Sequence, residues 1–240
     1  MRLSFEAWLV IGIYGFYLFD SIKLLQHNRL IICRGYRGWK IICPDSSWQI
    51  LRKIPYIFNP CLPNIPIFVG TLSIADETSI VDLTSTINEF IDAVNPLNYF
   101  VIILLALMCI CLPLALFLYG TGLVLLTITI SIYTIILAML AVLYTKQSEL
   151  SLSFKNYFSA AFDCIACPPF AINLVRKVSW QYQINLNPLE FAIKNLSKSD
   201  LSKLARVLIT RMDEQLLCED DNTVRSDIIK KYKSKLLEFS

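Results

Sequence analysis

Between Asp92 and Lys146 this chain of 240 residues carries no charged side chain, a run of 53 residues. Within it, 99–119 and 123–144 are each long enough to cross a hydrocarbon core of about 30 Å, which takes roughly 20 helical residues. Gly120-Thr121-Gly122 separates the two limbs. The pattern predicts a transmembrane helical hairpin over 98–145, and it sets the class of the whole protein.

The rest of the chain must be compatible with that hairpin. Charged residues make up 17% of the sequence, against about 25% in average soluble chains, and the deficit is concentrated rather than spread. Lys23, Arg29, Arg34, Arg37, Lys40, Arg52 and Lys53 face only Asp20 and Asp45 over 20–53, whereas 54–97 holds acids and no base. Lys146, Lys155, Arg176 and Lys177 follow the hairpin. Loops rich in lysine and arginine stay cytoplasmic. The 26–97 region and the tail are therefore expected in the cytoplasm, with the hairpin tip across the membrane. The localisation this implies is integral and multi-pass, in a plasma or inner membrane, with the soluble regions cytoplasmic.

The N-terminal apolar run at 7–19 follows Arg2 but lacks a small-residue cleavage site, and Glu6 and Asp20 bracket it. It is read as a retained first membrane helix within 1–25, with an in-plane helix as the rival. The expected fold is thus an all-α integral membrane protein. It comprises an N-terminal membrane helix (1–25), a cytoplasmic loop region (26–97), the hairpin (98–145), an interfacial segment (146–187) and a helical cytoplasmic tail (188–240).

Within the loop region, β-prone runs at 29–33 and 39–43 flank a glycine-bearing turn and predict a small β-hairpin at 29–43. Pro55, Pro60, Pro63 and Pro66 make 54–75 extended rather than helical. A helical rhythm at 78–94 is expected to stop at Asn95-Pro96. Further on, Asp163 and Pro168-Pro169 would put a carboxylate and a helix break together in lipid, so 154–164 is expected to lie along the interface. Pro113 deprives the Cys109 carbonyl of its helical donor and is expected to kink the first limb. In the tail, Leu201, Leu204, Leu208 and Met212 form one apolar stripe, and Val224, Ile228, Ile229, Tyr232, Leu236 and Leu237 form another. Ser199 or Asp200 is expected to cap the first.

Motifs that carry chemistry are sparse. Cys164-Ile165-Ala166-Cys167 has the spacing of a redox pair or half a zinc site, but small helix-packing residues are the simpler reading. His27 is the sole histidine, so any histidine-dependent triad would have to use it. Thr127, Ser131 and Thr134 share one face of the second limb, where hydroxyls either line a polar path or bond within packed helices. Asn195-Leu196-Ser197 matches a glycosylation acceptor by chance. No catalytic residue, cofactor or metal is expected.

The function expected from these residues is that of a membrane-anchored interaction or scaffold protein, not an enzyme. Arg29, Arg34, Arg37, Lys40, Arg52 and Lys53 would meet anionic headgroups of the lipid bilayer rather than nucleic acid, at about 1 kcal/mol per base. Leu204, Leu208 and Met212 would contact either the 26–97 region, a protein partner or a second copy in a homo-oligomer. The alternatives are a thiol redox or metal protein using Cys164 and Cys167, and a pore or transporter subunit.

Overall fold

In a computed structural model, which describes residues 5–26, 29–35, 38–43, 53–71, 83–120, 122–182, 188–216, 230, 233–234 and 236–237, the uncharged run forms two long helices. The first starts upstream as α2 (Leu83–Ala106), passes through a π turn at Leu107–Cys111 and continues as α3 (Leu112–Tyr119). The second is α4 (Leu123–Thr145). Gly120 ends α3 at φ 65°, a left-handed backbone that glycine adopts without a Cβ clash. Along α2, Ile87, Phe90, Val94, Leu97, Val101 and Leu104 are buried at alternating three- and four-residue steps. Ile132, Ile136, Met139 and Leu143 repeat that spacing on α4, the seam that paired helices bury.

Two prolines sit in the first helix, and the chain handles them differently. The helical rhythm does not stop at Pro96; α2 runs straight through it. The carbonyl that Pro96 cannot serve belongs to Asp92, and both residues are exposed, where other donors can reach it. Pro113 strands the Cys109 carbonyl in the same way. There the backbone loosens into the π turn, and the Tyr14 hydroxyl, from α1 (Phe5–Asp20), donates to Cys109 O at 2.5 Å. Removing that hydroxyl in Tyr14→Phe should lower stability by about 1 kcal/mol. Thermal unfolding of the full chain in detergent micelles measures it, and an unchanged midpoint would mean the carbonyl has another donor.

The fold is not all-α. Among the described residues five strands make it a mixed α/β chain: β1 (Ile22–Gln26), β2 (Arg29–Gly35), β3 (Gly38–Ile42), β4 (Lys53–Ile57) and β5 (Ile67–Thr71). The expected hairpin is β2 and β3, antiparallel, with Ile32 opposite Ile41 and Arg34 opposite Trp39. Its other edge pairs antiparallel with β5, Ile32 opposite Phe68, while β1 pairs with β4. β4 and β5 come from the proline-bearing segment, which is extended as expected. Extended backbone still needs partners, and the pairing that supplies them is non-local and leaves no local signal.

The N-terminal membrane helix is corrected too. α1 stops at Asp20, where the Ser21 hydroxyl donates to the Tyr17 carbonyl at 2.9 Å, and the chain leaves as β1. Sixteen residues rise about 24 Å, short of a bilayer core. Among the described residues two helices are long and apolar enough to cross a membrane, Ser85–Tyr119 and Leu123–Thr145.

The chain divides into two compact units: Met1–Leu24, Pro55–Pro66 and Thr84–Tyr182 form the first, and Leu25–Ile54, Ile67–Leu83 and Gln183–Ser240 the second. The second is built on Leu30 of β2, Ala192 of α7 (Pro188–Asn195), the apolar stripe of α8 (Lys198–Leu216), and Leu236. Ser197 caps α8, not Ser199 or Asp200: its Oγ accepts from the Asp200 amide at 3.2 Å and donates to the Asp200 carboxylate at 2.7 Å. Of the second tail stripe, only Leu236 and Leu237 fall among the described residues.

Candidate functional site

The first unit holds a charged cluster at its centre. After α5 (Phe154–Ala166), Pro168–Asn173 forms a 3-10 turn leading into α6 (Leu174–Gln181). Leu174, Val175 and Val178 are buried with Arg176, which is only 4% exposed although no carboxylate among the described residues pairs with it directly. Its guanidinium donates to the carbonyls of Asn59 (2.5 Å) and Leu62 (2.6 Å) and to Asn173 Oδ1 (3.0 Å), and it lies 5.6 Å from the Phe58 ring centre. The 59–63 loop carries Pro60 and Pro63, so it offers more carbonyls than amides. A side chain with five donors and no acceptor complements it. Tyr17 adds a further donor, to the Pro60 carbonyl at 2.5 Å. The Asn173 amide closes the cluster, donating to Ser21 Oγ at 3.1 Å.

Burial shapes the ionisation of the cluster. It pulls the Arg176 guanidinium below its usual value, against the opposing effects of Tyr17 and Asp20. It pushes the Tyr17 hydroxyl up to about 12, against the opposing effect of Arg176. In the unfolded chain that hydroxyl ionises near pH 10, so stability should fall as pH rises from about 10 towards 12. Unfolding midpoints of wild type and Tyr17→Phe across that range test this; parallel curves would contradict it. Beside the cluster, Lys177 bridges Asp20 (3.3 Å) and Asp163 (3.4 Å) and lies 4.5 Å from the Phe170 ring centre.

Sequence reasoning misses the cluster: it assigns Tyr17 to a membrane interface and Arg176 to the orientation-setting bases, and gives Ser21 and Asn173 no role, whereas the Arg176 charge is spent on loop carbonyls. A faint signal exists: Asn173 and Arg176 are polar residues one helical turn apart, just after an apolar run at 168–172.

Of the six expected headgroup-binding bases, three have described side chains. Arg29 and Lys40 project from one face of the β2–β3 ladder, and Arg34 from the other, its guanidinium 5.7 Å from the Trp39 ring centre. Arg37, Arg52 and the Lys53 side chain, like His27, lie outside the described residues. Leu204, Leu208 and Met212 are buried against Leu30, with Ile41 and Cys43 packed alongside. The surface their stripe needs is thus supplied by the chain's own β2 and β3.

Cys164 is buried, and burial pushes its thiol up to about 12, which suppresses the nucleophilic thiolate; Cys167 is raised for the same reason. Alkylation at pH 8 should therefore modify exposed Cys61 and spare Cys164 until the chain unfolds. Mass spectrometry resolves this, and equal labelling of both would refute the buried placement. Among the described residues no group of three or more histidine, cysteine, aspartate or glutamate side chains could hold a metal ion. In α4 the Thr127, Ser131 and Thr134 hydroxyls donate to carbonyls four residues back, each at 2.9 Å, and so are satisfied within their own helix.

The remaining feature of the first unit is its outer surface. Only 33% and 22% of the apolar windows of the two long helices are buried. Ile103, Ile110, Leu114 and Phe117 on one helix, and Leu126, Ile130 and Leu137 on the other, face outward. A helix apolar on all sides and packed on only one leaves an exposed apolar face, the kind of surface that marks a membrane or protein contact. No family model matches the chain, and neither a curated protein nor a solved structure matches it significantly.

Proposed function

We propose that this protein is anchored in a membrane by the α2–α4 hairpin and presents its second unit in the cytoplasm as an interaction or scaffold module. The observation that carries the reading is the outward apolar face of the two long helices, which a lipid environment would cover at no cost. An even number of crossings leaves everything before α2 and after α4 on one side. The bases that follow the hairpin, Lys146, Lys155 and Lys177, favour the cytoplasm for that side, in a plasma or inner membrane. The exposed Arg34 and Lys40 place positive charge on the module, suited to anionic headgroups or an acidic partner surface.

Membrane fractions washed at alkaline pH should retain the full chain, and a tag at Ser240 should be reached by an impermeant reagent only after the cytoplasmic side is opened. Recovery in the wash, or labelling of intact cells, would overturn the anchoring or the orientation respectively. Crosslinking in intact membranes followed by mass spectrometry should join exposed lysines of the second unit, such as Lys203, to another protein or another copy. Adducts confined within one chain would remove the scaffold role.

A further inference from the structure

α5 carries an apolar face that the described residues leave uncovered. Phe154, Phe158 and Phe162 stand at four-residue intervals with exposures of 67%, 63% and 65%, and Ile165 extends the stripe. The opposite side is fastened to the end of α4. Ala160 and Cys164 on that side are buried, the Tyr157 ring centre lies 5.5 Å from that of Tyr144 on α4, and the Tyr157 hydroxyl donates to the Leu140 carbonyl at 3.3 Å. Leu150 and Leu152 are tied back to the turn after α4 through the Lys146 and Gln147 carbonyls, and Ser153 caps α5. The start of α5 is therefore held close to where α4 ends.

Its 13 residues rise about 20 Å, too little to cross a bilayer. Asp163, the one carboxylate on the helix, is drawn to Lys177 and away from the phenylalanine stripe, while Lys155 is exposed beside it. A short helix with one bulky apolar face, a flanking base and an anchor at the end of an apolar span has one fitting occupant for that face. We infer that α5 lies in the plane of the bilayer, with Phe154, Phe158 and Phe162 sunk at the boundary between headgroups and acyl chains of the leaflet where α4 ends. This rests on the hairpin reading above. It adds that the protein places a wedge of aromatic side chains in one leaflet only, with Lys155 at the level of the lipid phosphates.

The test is a depth measurement on the full chain reconstituted in phosphatidylcholine–phosphatidylglycerol vesicles. A genetically encoded fluorescent residue replaces Phe154, Phe158, Phe162 or, as a reference within α4, Leu137, and nitroxide-bearing lipids quench at a shallow or a deep acyl carbon. Shallow quenching should exceed deep quenching by about two-fold or more at all three α5 positions, in the same ratio, because an interfacial helix sits only about 5–10 Å below the headgroups. Leu137 should show the reverse. A ratio that changes steadily from 154 to 162 means that the helix dips into the core and overturns the in-plane placement. Absence of quenching on α5 while Leu137 is quenched overturns the proposal and leaves the hairpin intact; a protein partner or water then covers the stripe. Quenching on α5 without quenching at Leu137 keeps the docking surface and removes the hairpin.

Discussion

Replacing Arg176 with methionine should lower the unfolding midpoint of the full chain in detergent micelles by about 10 °C, the equivalent of roughly 3–5 kcal/mol for a chain of this size. The substitution keeps the length of an apolar stem and removes every donor. The Asn59 and Leu62 carbonyls then keep only the loop's own amides, Leu62 N at 3.2 Å and Ile65 N at 3.4 Å, while the side-chain oxygen of Asn173 loses its donor; each lost bond to the charged guanidinium costs about 1–3 kcal/mol. Lysine at the same position should recover only part of the loss. Its compact ammonium reaches one or two acceptors, whereas the planar guanidinium reaches three acceptors held in different directions. Limited proteolysis supplies a second readout, because the 59–63 loop should become cleavable in Arg176→Met. A midpoint within about 2 °C of wild type would show that Arg176 does not hold the loop, since such a shift corresponds to under about 1 kcal/mol.

An aspartate at Leu208 should unfold the second unit. Leu208 is buried with Leu30, Leu204 and Met212, and the change removes a leucine from a packed core and leaves an unpaired carboxylate in its place. The two losses together come to about 5 kcal/mol or more, comparable with the whole stability of a small domain. Hydrogen exchange should rise to the unfolded limit in β2, α7 and α8. This experiment also separates two roles for the same stripe. If exchange in β2 stays slow and a co-purifying protein is lost, then Leu204, Leu208 and Met212 serve a partner instead of the interior.

The comparison of sequence with structure turns on the range over which each signal acts. The helix break at Pro168-Pro169 and the β2–β3 hairpin were legible because proline, a glycine-bearing turn and β-branched residues act on their immediate neighbours. The same local logic failed at Pro96, where it predicted an end to the helix. A missing hydrogen bond stops a helix only when its carbonyl has no other donor, and exposure of Asp92 removes that condition. It failed again at Leu25, expected in a helix and found in β1, because the pairing of β1 with β4 outweighs a weak helical preference.

Of the candidate sites, the apolar limbs were visible because hydrophobicity summed over 20 residues needs no knowledge of neighbours. The Arg176 cluster was not, since its parts come from α1, the 59–63 loop and α6, and an arginine in sequence looks alike whether it meets lipid, water or a carbonyl.

What the sequence determined by itself is the apolar double limb and its glycine tip, with acids before it and bases after it, because charge deficit and length are properties of a continuous stretch. Only the tertiary structure decided that the chain is mixed α/β, that Leu204, Leu208 and Met212 close on β2, and that Arg176 turns inward. Each of those outcomes depends on which distant carbonyl, strand edge or apolar face arrives to satisfy a group, and desolvation makes that choice after the segments meet.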